Sequence, residues 1–227
     1  MSGPSGALGN IGRAARVPRR SQEERSASTR LTIVEATSRC LIRFGYSGTT
    51  VAAVAEEAGV SRGALTHHFA TKQEMLISAI DQFSERAAAD LRAASRALDD
   101  SGEHVRQTMR LLWQSFVGDL FAAALEMWIA ARTDPALMDA LLESERSLGA
   151  RNRALMTEMF GTDIADAPGF DLALDMTFNL MRGVAVTGIL RQSVEREIQL
   201  VDAWTHLFMT LIATPVGVGS SQEQHAP

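Results

Sequence analysis

Along this chain apolar residues recur with helical spacing and rarely alternate in period two, so the pattern predicts helices and no sheet. In "TRLTIVEATSRCLIRF", Leu31, Val34, Leu41 and Phe44 fall on one stripe, with Ser28 to cap the start and Gly45 to close the end. "TVAAVAEEA" follows, with Thr49 as its cap and Gly59 just past its end, and then "RGALTHHF", capped by Ser61. A fourth helix starts at "TKQE", where Thr71 and Glu74 have capping-box spacing, and runs to about residue 99 before Ser101-Gly102 breaks it. Further helices are expected over about 103–117 and 120–132. Asp134 and Pro135 open another that reaches Phe160, "GTDIADAPG" reads as a loop, and the last two span about 170–192 and 195–213. The expectation is an all-α chain of about nine helices. Residues 1–27 and 215–227 lack periodicity and read as disordered tails.

The two short helices and the turn between them meet the steric demands of a helix-turn-helix. Ala55 is small where the helices cross, Gly59 tolerates positive φ in the tight turn, Val60 plugs the turn, and Leu65 faces back onto the first helix. The outer face of the second helix then carries Ser61, Arg62, Ala64, Thr66 and His67. A helix that enters a DNA major groove is short, small at its leading end and free of acid, and "VSRGALTHHFATK" has all three properties. Its N-terminal N–H groups suit phosphates, Arg62 can hold a guanine edge with two hydrogen bonds, and Gly63 lets the backbone approach.

Charge supports this reading. The chain's net charge is -5, but residues 1–80 carry net +4 and the remainder net -9. A basic front joined to an acidic body fits a polyanionic partner, although six of the front's arginines lie in residues 1–30 and also suit a solvated basic tail. Lys72, the single lysine of the chain, stands in the first turn of the fourth helix, where the macrodipole disfavours a cation and a phosphate would offset it. His67 and His68 are adjacent, so they point about 100° apart and do not make a metal pair.

The stretch "GTTVAAVAEEAGVSRGALTHHFATKQEML" resembles the N-terminal domain of the tetracycline-repressor (TetR) family. That family runs T-x-x-x-I-A-x-x-A-G-V-S-x-G-x-L-Y-x-H-F-x-x-K-x-x-L. Thr50, Ala55, Ala58-Gly59-Val60-Ser61, Gly63, Leu65, His68-Phe69, Lys72 and Met75-Leu76 match, and the likeness covers residues 29–76. It implies a three-helix DNA-binding domain, taken here as residues 28–76, followed by a helical effector-binding and dimerisation domain over residues 77–214. Thr49, Thr50, Ser61, Arg62, Gly63, Ala64, Thr66, His67, His68 and Lys72 are the candidate contacts to double-stranded DNA. Where the family has a tyrosine that often touches a phosphate, this chain has Thr66, so that contact either survives through a shorter hydroxyl or passes to His67.

All three tryptophans and most of the methionines lie in residues 103–213. Met109, Trp113, Phe116 and Trp128 suit either core packing or an adaptable pocket wall for the small, largely apolar effector that the resemblance implies. Arg132, Asn179 and Arg182 are polar residues in or beside apolar helices, with Phe178 alongside; each polar group can meet a ligand or be satisfied internally. "LALDMTFNLMRGVAVTGIL" is apolar nearly all round, so one side needs a partner, and Gly183 and Gly188 would let another backbone approach. With Ala203, Trp204, Leu207, Phe208 and Leu211 in the last helix, it predicts a four-helix bundle shared by a homodimer, as the resemblance also implies.

No Walker loop, G-x-G-x-x-G, H-E-x-x-H or G-x-S-x-G motif is present, so no enzyme and no cofactor is expected. Cys40 is alone within the first helix, and Glu143 and Glu145 stand two apart and face different ways. With no run of apolar residues long enough for a signal peptide or a membrane span, the chain reads as cytoplasmic. The expected function is a ligand-responsive repressor that binds a palindromic operator as a homodimer. The rivals are an effector-independent architectural DNA-binding protein and a helical enzyme with a vestigial helix-turn-helix.

Overall fold

In the computed structural model, which describes residues 21–98, 103–191 and 193–213, helix α1 (Gln22–Gly48) begins well before Ser28. The reason is a complete capping box: Ser21 Oγ accepts from the Glu24 N–H, and the Glu24 carboxylate accepts from the Ser21 N–H. Residues 22–27, expected in the disordered tail, are therefore helical and exposed. The rest of that tail, the break at Ser101-Gly102 and the tail at 215–227 lie outside the described residues. Along α1 the inner face is Ile33, Val34, Ala36, Thr37, Cys40 and Leu41, whereas Leu31 and Phe44, expected on the core stripe, are each 45% exposed.

Two short helices follow, α2 (Val51–Ala58) and α3 (Arg62–His68), and then α4 (Lys72–Ser95). Beyond them lie α5 (His104–Gln114), α6 (Asp119–Ala131) and α7 (Pro135–Phe160), the last opened by Asp134, which accepts from the Leu137 N–H with Pro135 in the first turn. The loop expected at 161–169 contains a further single turn, α8 (Thr162–Ala165), and the chain ends in α9 (Phe170–Arg191) and α10 (Val194–Ile212). The described residues thus form ten helices and no strand, one helix more than the pattern predicts.

Two apolar cores hold these helices together. The first joins α1–α4 to α6 and the start of α7 through Leu120, Ala123, Met127, Leu137 and Leu141, so the core under the first three helices continues well past residue 76. The second joins α5, the end of α7, α8, α9 and α10. Here the Phe160 and Phe208 rings stack with centroids 5.3 Å apart, Phe170 meets both edge-on, and the buried Trp204 indole donates to Thr177 Oγ1 at 2.8 Å. Only one side of α9 enters this core, through Ala173, Leu174, Thr177, Met181 and Val184.

Candidate nucleic-acid interface and interior cavity

The reading head is set by local sterics. Gly59 adopts φ 66° and ψ 30°, the left-handed conformation that ends α2, and Val60 N–H then bonds to the Ala55 carbonyl at 3.0 Å. Leu65 is buried against the helix before it, and Val60 is half-buried beneath the turn. Ser61 Oγ accepts from the Ala64 N–H, which fixes the start of α3. On the outer side Ser61, Arg62, Gly63, Thr66 and His67 are exposed, Ala64 and His68 are half-buried, and no acid lies in the first turn of either α2 or α3. The two imidazoles meet edge-on at 5.5 Å, and the Thr66 hydroxyl is bonded back to the Gly63 carbonyl of its own helix.

Two candidates sit differently from expectation. The cap of α2 is Thr50, whose hydroxyl accepts from the Ala53 N–H; Thr49 is fully buried and donates to the Gly45 carbonyl at 2.7 Å. The register moves by one residue because α1 breaks at Gly45, where φ is 65°, and the chain turns inward before α2 begins. Lys72 is half-buried: its ammonium donates to the Tyr46 carbonyl at 3.1 Å and lies 4.6 Å from the Tyr46 ring centroid, and burial lowers its pKa. An internal carbonyl and an aromatic face offset the unfavourable dipole at this helix start. Accordingly, Lys72→Met is expected to lower the thermal midpoint while leaving the slope of log K against log salt for DNA binding nearly unchanged. A lysine on a phosphate would reduce that slope by about one.

A cavity of about 130 Å³ lies between α4, α5, α6, α7 and α9. Its walls are Ile77, Ile80 and Phe83 from α4, Leu112 from α5, Phe116 from the turn after it, Phe121 and Trp128 from α6, Leu148 and Met156 from α7, and Phe178 from α9. Four expected effector residues therefore share one chamber: Phe116, Trp128, Phe178 and Arg182. Met109 is buried in the second core, and Trp113 faces a separate groove beside Gly188 and Glu197. Arg132 is exposed at the C-cap of α6, and Asn179 is exposed on α9 with its amide donating to the Asp175 carbonyl; neither lines the chamber.

Within this apolar space stands Glu145, which the sequence reading set aside. Burial raises its pKa above the ordinary carboxylate value, and the charge of Asp81 adds to that. The Arg182 guanidinium and a hydrogen bond from Trp128 act the other way. Arg182 itself lies over the Trp128 ring at 4.9 Å. Trp128, Leu141, Glu145 and Arg182 also line a shallower groove outside, with Met138 and Leu142, so these four side chains form a partition between chamber and surface.

Comparisons with known proteins agree with this geometry. The sequence profile of "Bacterial regulatory proteins, tetR family" matches residues 33–79. The HTH-type transcriptional regulator CymR of Pseudomonas putida is 32% identical over 182 residues, covering 78% of this chain and 88% of that protein. The HTH-type transcriptional repressor AcnR of Corynebacterium diphtheriae is 29% identical over 116 residues, covering 51% of this chain and 57% of that one. Among solved structures, the multidrug binding protein EbrR complexed with ethidium superposes with TM-score 0.56 at 26% identity, covering 79% of this chain and 97% of that one.

Proposed function

This chain is a transcriptional regulator of the tetR family, and from that membership we propose that it binds a palindromic operator as a homodimer and is released by a small aromatic effector. The observation that carries the reading is the union, in one chain, of an acid-free exposed reading helix and an aromatic chamber walled by the helix that directly follows it. α3 would lie in the major groove, with Arg62 on a base edge and Thr50, Ser61, His67 and His68 toward phosphates. Arg62→Ala is expected to cost about 1–3 kcal/mol of operator affinity and to relax preference at one base position. An unchanged consensus and affinity in a binding-site selection would remove Arg62 from that role.

The dimer would form on the outer sides of α9 and α10. Leu172, Met176, Gly183, Val186 and Leu190 recur on α9 at a spacing that keeps them within one narrow stripe, and all are exposed. Ala203 and Leu207 are exposed one turn apart on α10. Apolar stripes of this length are rare on soluble monomers, and two antiparallel pairs would close them into a four-helix bundle.

In the chamber the effector must bind the DNA-incompetent arrangement more tightly, or no equilibrium shifts. The EbrR structure with ethidium supports a planar aromatic probe as the first choice. Titrating the protein with proflavin or ethidium while reading operator affinity tests the proposal. Saturable weakening of operator binding is expected, and an affinity indifferent to a panel of planar aromatics would contradict it.

Glu145 makes the chamber pH-sensitive. Its folded pKa lies above its unfolded value, so between the two the native state binds more protons, and the stability this confers at low pH is lost as pH rises through the folded pKa. Glu145→Gln is therefore expected to raise the thermal midpoint at pH 7 relative to the wild type. The difference should shrink as pH falls toward the ordinary carboxylate range; a gap that widened on acidification would reverse this assignment.

A further inference from the structure

At the end of α1, Tyr46 is hydrogen-bonded to both α6 and α4. Because α1 breaks at Gly45, the Tyr46 N–H loses its place in the helical ladder, and it donates instead to Glu126 Oε2 of α6 at 2.7 Å. A Cβ at Gly45 would collide with that carboxylate, so the break and the acid fit one another. The Tyr46 carbonyl is taken by Lys72 at the start of α4. Burial raises the Tyr46 phenol's pKa and the charge of Asp134, which opens α7, adds to it; the Asp134 carboxylate lies 3.5 Å from the Gln73 amide of α4. Three residues beyond Tyr46, buried Thr49 is tied to Gly45, and Thr50 then caps α2.

Both helices that grip Tyr46 also wall the chamber. Ile77 and Ile80 of α4 line it, as do Ala124, Met127 and Trp128 of α6, the last two being the residues that follow Glu126. A helix moves as a body, so a displacement of the α6 wall displaces Glu126 with it. We propose that Glu126 is the positioning residue through which occupancy of the chamber reaches the reading head, by way of its hydrogen bond to the Tyr46 N–H at the break in α1. Widening the chamber parts α6 from α4, and Tyr46 then cannot keep both its amide on Glu126 and its carbonyl on Lys72. The turn that sets α2 shifts, and α3 with it. The inference rests on the chamber being the control site of a DNA-binding protein, as proposed above.

A double-mutant cycle tests it without an effector. Ala124→Trp fills the chamber from the α6 wall, and the smaller Ala124→Leu serves if the tryptophan variant does not fold. Operator affinity of the full chain is read by fluorescence anisotropy in the wild-type, Glu126→Ala and Glu126→Gln backgrounds, on a site selected from random DNA. The filled chamber is expected to weaken operator binding about tenfold in the wild type and less than about threefold beside Glu126→Ala, a coupling within the ordinary allosteric range. Glu126→Gln, which keeps an acceptor for the Tyr46 N–H, should restore most of the response. An equal loss in all three backgrounds overturns the role of Glu126 and leaves control from the chamber standing. A filled chamber that leaves wild-type affinity unchanged overturns both.

Discussion

Gly183→Arg is expected to drive the protein to monomer or aggregate and to abolish measurable operator binding, although it lies far from the reading helix. Gly183 stands in the middle of the exposed stripe of α9, and a side chain there would meet nothing within 4 Å in its own chain. An arginine would therefore be tolerated by the protomer and would place two like charges where two copies close on each other. A dimer's hold on two half-sites is multiplicative, and a lone head retains only the weak affinity of one. Gly188, expected from the sequence to serve the same close approach, faces its own chain: a Cβ there would meet the Glu197 carboxylate of α10. Sedimentation velocity together with circular dichroism checks the result. A Gly183→Arg protein that sediments as a dimer and binds operator normally would place the interface elsewhere.

Phe208→Ala should act on the opposite side of the same helix pair and have the largest effect on stability. Phe208 is fully buried between Phe160 and Phe170, so its removal deletes transfer energy, two aromatic contacts and the filling of a core site. Such truncations cost about 3–5 kcal/mol. Leu207, its neighbour in the chain, is 60% exposed, and Leu207→Asp should leave the protomer's fold intact while weakening association. Urea unfolding of the two variants at equal concentration separates the effects. Equal destabilisation would mean that the two faces of α10 are not the inner and outer faces described here.

The helix-turn-helix was legible in the sequence because its constraints are local. A small residue at a crossing, a positive φ in a tight turn and a hydroxyl before an N-terminus each leave a mark at fixed spacing, and Ala55, Gly59, Ser61, Thr71 and Asp134 all stand where that logic puts them. Thr49 and Thr50 were exchanged because the start of α2 depends on a break in α1 that Glu126, remote in sequence, helps to seat. The Arg- and Gly-rich composition before Ser28 favours disorder, yet Ser21 and Glu24 form a complete capping box that starts α1 earlier. Glu145 was dismissed by comparison with Glu143, which faces away from it. The better signal was its spacing from Leu141 and Leu148, four residues back and three on, which puts it on the stripe of α7 that lines the chamber. Arg132 and Asn179 do not line the chamber, for the converse reason. A polar residue after or within an apolar helix is often just the point where the helix meets solvent, and only packing against α4 and α7 decides which side that is.

Selection of binding sites from random DNA by the full-length protein, followed by comparison of the best site with unrelated sequence at physiological salt, is the most direct test. A sequence-specific dimeric regulator should enrich a palindrome whose half-sites match two reading helices about 34–36 Å apart. It should bind that site on the order of 10³-fold or more tighter than random DNA. Enrichment of no consensus, with random duplex bound as tightly as any selected site, would contradict the reading and favour a protein that coats DNA without reading it.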